Sequence, residues 1–223
     1  IVAAGSGSRM GSATPKQFLP IAGKPILYYT LQAFFQAFED MQIILVLPEA
    51  YLAFGQKLKE ELPERSRIQL TSGGTTRFKS VQNGLAFIKQ TAIVFVHDGV
   101  RCLITPTLIR RCYTQALDSG SAIPAIAATD SLRTLNESGN QLLDRTKVRI
   151  IQTPQTFRSD ILKKAFAQPY QEIFTDEASV VEADGESVAL IEGETDNLKI
   201  TRAIDLRLAE ILLEERGHLN ATK

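Results

Sequence analysis

An arginine and a lysine flank a glycine-containing loop near the start of the chain. The loop is Gly5-Ser6-Gly7-Ser8-Arg9-Met10-Gly11, and Lys16 follows Arg9 by seven residues. Glycines let the backbone turn tightly and bring N–H groups close to phosphate oxygens. Two cations beside a triphosphate would neutralise charge on an attacked phosphorus and on departing pyrophosphate. The pattern predicts a nucleoside triphosphate site, with an inert solvated loop as the alternative.

Two better-known phosphate loops fit this segment poorly. A dinucleotide-binding G-x-G-x-x-G loop would place its third glycine at position 10, where Met10 stands, and no helical pattern starts directly after it. No G-x-x-x-x-G-K-[ST] segment is present either. An NAD-dependent reductase is left as an alternative on the α/β pattern alone.

Composition limits the remaining classes of protein. Lys and Arg together number 25, as do Asp and Glu, so no overall charge attracts nucleic acid or an anionic membrane. No apolar run approaches the ~20 residues that a membrane-spanning helix needs. Two cysteines and two histidines are too few for a disulfide framework or a Cys/His zinc site. We expect a reducing cytoplasmic setting, or a plastid if a transit peptide has been removed.

The elements that must position the loop alternate between strand and helix patterns. Continuously apolar runs are typical of strands covered on both faces; they occur at 1–4, 41–48, 67–72, 92–98 and 121–128. Helical patterns occupy 25–38, 49–62, 77–90 and 106–118. This alternation predicts an α/β fold with a doubly wound, mainly parallel sheet, in a single domain over 1–223. The first run has the pattern of the second half of a strand, so we expect a few residues before Ile1.

Polar segments follow three of these strands. "GSGSR" follows the first, "SGGTTR" the third and "HDGVR" the fourth. Ligands of doubly wound sheets bind beyond the carboxyl ends of the strands. The three segments are therefore predicted to converge on one cleft.

The second half of the chain has a different pattern. Two short β-like pieces around "NESGN" predict a hairpin arm at about 130–150, which we expect to pack on a second copy of the chain. A helix is predicted from Thr175, as its cap, to Gly185, followed by a strand at 187–193. A closing helix is predicted at 203–216, with its buried face formed by Ile204, Leu208, Ile211 and Leu212.

Several segments together resemble one family. "AAGSGSRMG", "PKQFL" and "GKPIL" are similar to the amino-terminal signature of nucleotidyltransferases that activate small phosphorylated alcohols. "SGGTTRFKSVQNGL", "VHDGVR", "LDRTKVRIIQTPQTF", "TDEASVVEADG" and "EGETDNLKIT" continue the likeness almost to the end of the chain. Their order and spacing resemble the 2-C-methyl-D-erythritol 4-phosphate cytidylyltransferase family, which implies a Rossmann-like nucleotidyltransferase fold.

The resemblance implies a reaction and a role for particular residues. Arg9 and Lys16 would stabilise the pentacoordinate phosphorus as the 4-phosphate of methylerythritol phosphate attacks CTP. His97 would be a structural neighbour, since this attack requires no general base. The implied CTP-binding residues are Ala3, Ala4, Gly5, Gly7, Gly73, Gly74 and Ser80. The implied methylerythritol phosphate-binding residues are Asp98, Arg101, Ser131, Arg145, Thr153, Thr175 and Lys199.

The resemblance also implies a cofactor and a partner. Mg²⁺ is expected on the triphosphate and water, with no protein ligand assigned. The arm would cross to a second subunit of a homodimer, which would place Arg145 in the partner's active site.

Two residues depart from the family pattern, and two rival functions stay open. Cys102 stands where proline is usual, and we expect it to be a small apolar filler; Ser131 replaces a threonine but keeps the hydroxyl. The first rival is a cytidylyltransferase acting on ribitol 5-phosphate, which shares the amino-terminal segments. The second is a non-catalytic nucleotide-binding protein, which would not need both Arg9 and Lys16.

Overall fold

The computed structural model describes residues 1–5, 14–137 and 139–217. Its strands are β1 (Pro20–Ile21), β2 (Lys24–Pro25), β3 (Ile43–Leu47), β4 (Ile68–Ser72), β5 (Ile93–Val96), β6 (Ser121–Ala127), β7 (Leu132–Asn136), β8 (Gly139–Leu143), β9 (Arg149–Ile151), β10 (Gln155–Arg158) and β11 (Leu190–Glu192). Its helices are α1 (Ile26–Ala37), α2 (Leu52–Glu60), α3 (Arg77–Leu85), α4 (Pro106–Ser119), α5 (Ser159–Ala165), α6 (Glu177–Ala183) and α7 (Ala203–Glu215).

Bridges at Val2 join the central strands into one sheet, while β1–β2 and β7–β8 are separate two-stranded pairs. β3 pairs with β4 in parallel, and Val2 makes parallel bridges both to Val46 of β3 and to Asp98 beyond β5. On the other side of β5, β10 pairs antiparallel with β5 and with β6, and β11 pairs parallel with β6. β9 pairs antiparallel with the end of β6. The predicted mainly parallel sheet is therefore confirmed.

The antiparallel direction of β10 was not predicted from the sequence. β10 has four residues, of which three are polar, and three are buried between its neighbours. Such a short mixed run has no period from which a direction could be inferred. Its place is fixed by pairing with β5 over four residues and with β6 over two.

Helices cover both faces of the sheet. One apolar cluster joins α1 and α4 to one face, with Phe34 and Leu108 among its most buried side chains. A second cluster joins α3, α5 and α6 to the other face, around Phe157 of β10 and Val181 of α6. This arrangement is the predicted doubly wound layering.

The predicted buried face of the closing helix is wrong at three of its four residues, whereas the fourth, Leu212, is partly buried against the protein. Ile204, Leu208 and Ile211 are 56%, 45% and 53% exposed, whereas Ala209 and Leu213 are buried in a third cluster. Apolar residues occupy more than one side of α7, so its sequence alone does not choose the side that packs. Cys102 belongs to the same cluster at 3% exposure, as an apolar filler should.

The residues between 129 and 151 form the predicted hairpin. β7 and β8 pair antiparallel over five residue pairs, from Leu132↔Leu143 to Asn136↔Gly139. Most of the arm is exposed, including Leu135 at 84% and Leu142 at 66%. Exposed leucines on this projection suit contact with another surface.

The helix after Phe174 begins one residue later than predicted. Asp176, not Thr175, is its N-cap, because the Asp176 carboxylate accepts the Ser179 backbone N–H at 2.9 Å. Ser179 completes a reciprocal capping box by accepting the Asp176 N–H. Gly185, with φ of +89°, follows the end of the helix as predicted. In the described part of the chain, no helix has both the length and the apolar composition needed to cross a bilayer.

Candidate active site

Backbone hydrogen bonds bring three polar segments to one edge of the sheet. Ala3 donates its N–H to the Val46 carbonyl at 2.9 Å, and Gly99 donates to the Val2 carbonyl at 3.0 Å. Gly73 donates to the Leu47 carbonyl at 2.7 Å. Residues 3–5, 73–74 and 98–101 therefore lie together beyond the carboxyl ends of parallel strands, as predicted.

Glycines permit the close approach of these segments. A Cβ at Gly73 would lie 2.3 Å from the Cβ of Ala4, and a Cβ at Gly99 would lie 2.8 Å from the Cβ of Ala3. Neither position has room for a side chain. The segment that contains Ala3 and Ala4 is thus enclosed by backbone on both sides.

The hydroxyl of Ser80 fixes the shape of the loop after β4. It accepts the Gly74 N–H at 3.1 Å and donates to the Thr76 carbonyl at 2.9 Å. Thr76 is the N-cap of α3, where its side chain accepts the Lys79 N–H at 3.1 Å. Of the predicted CTP-binding residues, Ala3, Ala4, Gly5, Gly73, Gly74 and Ser80 are described and lie on these joined segments. Gly7 lies outside the described residues.

The "PKQFL" segment anchors Lys16 close to residues 3–5. Lys16 begins a single turn of 3-10 helix, Lys16–Phe18, and is half-buried. The neighbouring Gln17 is 2% exposed, and its amide donates to the carbonyls of Ala3 at 2.7 Å and Gly5 at 3.0 Å. Phe18 stacks on Tyr51, with ring centroids 4.6 Å apart. Arg9, the other predicted catalytic residue, lies outside the described residues.

Asp98 is the centre of a buried ionic network. Its Oδ1 lies 2.7 Å from Nη1 of Arg77, and its Oδ2 lies 2.9 Å from Nζ of Lys199 and 3.7 Å from Nε of Arg101. The second Arg77 nitrogen, Nη2, lies 2.9 Å from Oε2 of Glu177. Three cations thus meet two carboxylates, which leaves an excess of positive charge at the cleft.

Burial and ion pairing act in opposite directions on the carboxyl groups of this network. Burial favours the neutral form of Asp98, but Arg77, Lys199 and Arg101 outweigh it and hold the pKa of Asp98 well below its ordinary value. At Glu177, which is 1% exposed, burial raises the pKa even though Arg77 opposes the shift. Asp98 is therefore a fixed negative charge in the working pH range.

His97 is a buried structural residue, as predicted. Its Nδ1 lies 3.0 Å from Oγ1 of Thr153, and its Nε2 lies 3.2 Å from the Arg101 carbonyl. Because Thr153 Oγ1 already accepts the Asp98 N–H at 3.1 Å, its own O–H can donate to Nδ1, which assigns the proton of the neutral ring to Nε2. Burial lowers the pKa of His97 to about 3. A neutral imidazole held in this way is a poor candidate for a general base.

A buried asparagine anchors the segment that presents Lys199. Asn197 is fully buried, and its Nδ2 donates to the Thr153 carbonyl at 2.9 Å. The backbone carbonyl of Asn197 accepts a hydrogen bond from Nη1 of Arg101 at 2.7 Å. The side chain of Lys199 is 46% exposed, so its ammonium group contacts both Asp98 and the open cleft.

The structure unites some of the predicted substrate residues and leaves others apart. Asp98, Arg101, Thr153 and Lys199 form the network just described. Thr175 is exposed and lies two residues before the start of α6. Ser131 and Arg145 lie on the exposed arm, where Nη1 of Arg145 donates to the Thr129 carbonyl at 2.6 Å. Within the described part of the chain, no hydrogen bond or ion pair joins Ser131 or Arg145 to the Asp98 network.

Sequence reasoning missed three residues that shape the cleft, namely Gln17, Arg77 and Glu177. Arg77 occurs in "SGGTTRFKS" at the start of a helix, where an arginine usually lies in solvent. Glu177 stands in the first turn of α6, where an acidic residue suits the helix dipole without any partner. Only the folded chain shows that these two side chains meet.

A cavity of about 1050 Å³ is lined by residues of β3, β4 and β5, among them Ile43, Ile68 and Ile93. It contains none of the predicted site residues. The cavity is therefore distinct from the polar cleft in the residues that line it.

The described residues include no group of three His, Cys, Asp or Glu side chains arranged to hold a metal ion. Both oxygens of Asp98 already face cations. A divalent ion in this cleft would therefore take its ligands mainly from phosphate oxygens and water, as Mg²⁺ often does.

Comparison with known proteins agrees with this geometry. The family model described as IspD, 2-C-methyl-D-erythritol 4-phosphate cytidylyltransferase, matches residues 1–215. A protein of that name from Bacteroides fragilis is 47% identical over 213 residues, covering 96% of this chain and 97% of the relative.

Two crystal structures are similar along nearly their whole length. The 4-diphosphocytidyl-2C-methyl-D-erythritol synthase of Anaerococcus prevotii has a TM-score of 0.81 at 26% identity, covering 96% of this chain and 95% of that one. The 2-C-methyl-D-erythritol 4-phosphate cytidylyltransferase of Thermus thermophilus has a TM-score of 0.75 at 31% identity, covering 96% and 97%. The chain belongs to the 2-C-methyl-D-erythritol 4-phosphate cytidylyltransferase family of nucleotidyltransferases.

Proposed function

We propose that this cleft transfers a cytidylyl group from CTP to 2-C-methyl-D-erythritol 4-phosphate. The observation that supports the proposal most strongly is the net positive network of Asp98, Arg77, Arg101 and Lys199 beside the backbone of residues 3–5 and 73–74. The ionic network suits a phosphorylated alcohol, and the backbone of residues 3–5 and 73–74 suits a nucleotide. Since the relatives carry the name of the methylerythritol phosphate enzyme, neither ribitol 5-phosphate nor nucleotide binding without turnover is favoured.

The reaction needs little acid–base chemistry from the protein. An oxygen of the substrate's 4-phosphate attacks the α-phosphorus of CTP, and the bond from the α-phosphorus to the bridging oxygen breaks. Pyrophosphate leaves with the bonding electron pair, and 4-diphosphocytidyl-2-C-methylerythritol is formed. The nucleophile is already an anion, so the neutral, buried His97 is not required as a base. Arg9 and Lys16 would stabilise the charge on the phosphorus centre and the leaving group.

The CTP side of the cleft is assigned to backbone groups and one hydroxyl. Ala3, Ala4, Gly5, Gly7, Gly73, Gly74 and Ser80 would enclose the cytidine. The close contact between Gly73 and Ala4 holds the two segments together, and a pyrimidine-sized pocket between them would favour cytosine over purines. The Ser80 hydroxyl already bonds to Gly74 and Thr76, which supports a role in shaping the loop.

The substrate side combines the ionic network with more distant groups. Lys199 and Arg101 would meet the phosphate, Asp98 would meet a hydroxyl, and Thr153 and Thr175 would complete the substrate side. Ser131 and Arg145 would come from the arm. Because the arm projects and has exposed leucines, we propose a homodimer in which Arg145 of one subunit reaches the site of the other. A planar guanidinium can bind a phosphate through two hydrogen bonds.

Magnesium is proposed as the cofactor. Its charge would lower the repulsion between the attacking phosphate and the triphosphate. As both Asp98 oxygens are ion-paired, the ion would be held mainly by the CTP phosphates and water.

Pyrophosphate release tests the proposal. Purified protein is given Mg²⁺, a phosphorylated alcohol (methylerythritol 4-phosphate or ribitol 5-phosphate) and one of CTP, ATP, GTP or UTP. We expect release with CTP and methylerythritol 4-phosphate together. Pyrophosphate release with CTP and ribitol 5-phosphate, but not with CTP and methylerythritol 4-phosphate, would overturn the substrate assignment but not the reaction type. No release in any mixture would favour a binding protein.

A further inference from the structure

We propose that Arg77 and Glu177 are positioning residues that set the geometry of the methylerythritol phosphate side of the cleft. The inference rests on the proposed function, because it assigns a role relative to that substrate. One guanidinium group joins two buried carboxylates that are far apart in the sequence. Arg77 is 21 residues from Asp98 and 100 residues from Glu177.

The contact with Asp98 orients its carboxylate. Nη1 of Arg77 occupies Oδ1 at 2.7 Å, so Oδ2 is the oxygen that faces Lys199 at 2.9 Å and Arg101 at 3.7 Å. A carboxylate fixed through one oxygen cannot rotate freely to present the other. Arg77 therefore determines where the Lys199 ammonium is held, without itself belonging to the predicted substrate contacts.

The contact with Glu177 fixes a second part of the substrate side. Glu177 is the first residue of α6, and Thr175 lies two residues before it. Nη2 of Arg77 holds Oε2 of Glu177 at 2.9 Å, so the start of α6 is tied to the start of α3. The positions of Thr175 and Lys199 therefore both depend on the same guanidinium group of Arg77.

The chemistry of the site explains why arginine is used. Glu177 is 1% and Asp98 5% exposed, and each would be costly without a cationic partner. The planar fork of arginine can serve two carboxylates in fixed directions, whereas lysine offers one compact charge at the end of a flexible chain. A lysine at position 77 would keep the positive charge but lose one of the two fixed contacts.

The test compares Arg77→Lys and Glu177→Gln with a control, Arg158→Lys. Arg158 forms an exposed ion pair with Asp160 at 2.8 Å and has no contact with the network. The KM values for CTP and methylerythritol 4-phosphate, kcat and the melting temperature are measured for each protein. For Arg77→Lys we expect KM for methylerythritol 4-phosphate to rise about tenfold and KM for CTP to change less than about twofold. Glu177→Gln should raise KM for methylerythritol 4-phosphate roughly threefold, and the Arg158→Lys control should change neither KM value.

A role in stability alone would give a different result. It would lower the melting temperature and the active fraction while leaving both KM values unchanged, and that outcome would overturn the inference. Equal increases of the two KM values would overturn it as well. If Arg77→Lys does not fold, Glu177→Gln decides, because it keeps the contact between Arg77 and Asp98.

Calorimetry separates this inference from the proposed function. If the wild-type chain binds methylerythritol 4-phosphate but releases no pyrophosphate, the proposed reaction fails. Selective weakening of that binding in Arg77→Lys, with CTP binding unchanged, would still support the inference. If the wild-type chain shows no such binding, both the inference and the substrate assignment are overturned.

Discussion

At the scale of single residues, the cleft contains charges that do not change near neutral pH. The surrounding cations outweigh burial and keep Asp98 ionised, and burial keeps His97 neutral. Burial also raises the pKa of the Cys102 thiol to about 12, so this residue stays protonated in its apolar cluster. None of these three groups changes charge near neutral pH, whereas the substrate phosphate does, since the second pKa of phosphate monoesters is about 6.

We therefore expect protonation of the substrate, not of the protein, to cause the fall of kcat/KM at acid pH. Below about pH 6 the 4-phosphate takes up a proton and becomes a weaker nucleophile, so kcat/KM should fall with one inflection. The measurement is kcat/KM for methylerythritol 4-phosphate from pH 5 to 8, beside a phosphorus NMR titration of the free substrate. An inflection well away from the substrate's own pKa would instead indicate a titrating protein group.

Lys16 is expected to act on the transition state more than on bound CTP. Removing its charge in Lys16→Ala should lower kcat by about 10²–10³-fold, as for other groups that meet developing charge. CTP affinity should fall by less than about threefold, since backbone groups are the proposed nucleotide contacts. Turnover is followed by pyrophosphate release and affinity by calorimetry, with Lys57→Ala on an exposed position of α2 as the control. Equal losses in kcat and CTP affinity would show that Lys16 serves only to bind CTP.

At the scale of elements, the cleft depends on how closely the ends of neighbouring strands approach. The loop after β4 contacts the end of the first segment at Gly73, where a Cβ would lie 2.3 Å from that of Ala4. Thr76 and Ser80 then turn the chain into α3 and bring Arg77 to Asp98. A small displacement of this loop would move both the cytidine enclosure and the ionic network.

Gly73→Ala should damage the CTP site by steric overlap. We expect KM for CTP to rise at least about tenfold, because the added methyl group pushes the loop away from Ala4. The Ala4→Gly/Gly73→Ala double variant removes that overlap and should recover part of the loss. Steady-state kinetics and melting temperatures of the single and double variants check this. Equal KM values in the two variants would mean that contact with Ala4 is not the cause.

Among the elements, those with a strong pattern were predictable. The apolar runs of β3, β5 and β6 and the helical patterns at 77–90 and 106–118 predict their own structure locally. The packing face of α7 was not predictable, because Ile204 and Leu208 follow a helical period as well as Ala209 and Leu213 do. The short β10 depends on its partners for its direction.

At the scale of the whole molecule, the local sequence predicts the segments of the cleft but not the contacts between distant residues within it. The segments that form it were predictable, since polar residues follow strands whose carboxyl ends share an edge. The Arg77–Glu177 contact was not, because it joins residues 100 positions apart and neither has an unusual sequence context. Arg145 raises the same problem between subunits: its only described side-chain bond is to Thr129 of its own chain.

Mixing two inactive variants would decide whether Arg145 acts across subunits. In a mixed dimer of Lys16→Ala and Arg145→Ala chains, the Arg145→Ala subunit keeps Lys16 and would receive Arg145 from its partner. After subunit exchange, we expect about a quarter of the wild-type activity per chain, because half of the dimers are mixed and each has one complete site. Each variant alone, exchanged with itself, is the control, and sedimentation measures the dimer. If the dimer forms but activity does not return, Arg145 acts within its own chain; a protein that sediments as a monomer would contradict the arm as a dimer contact.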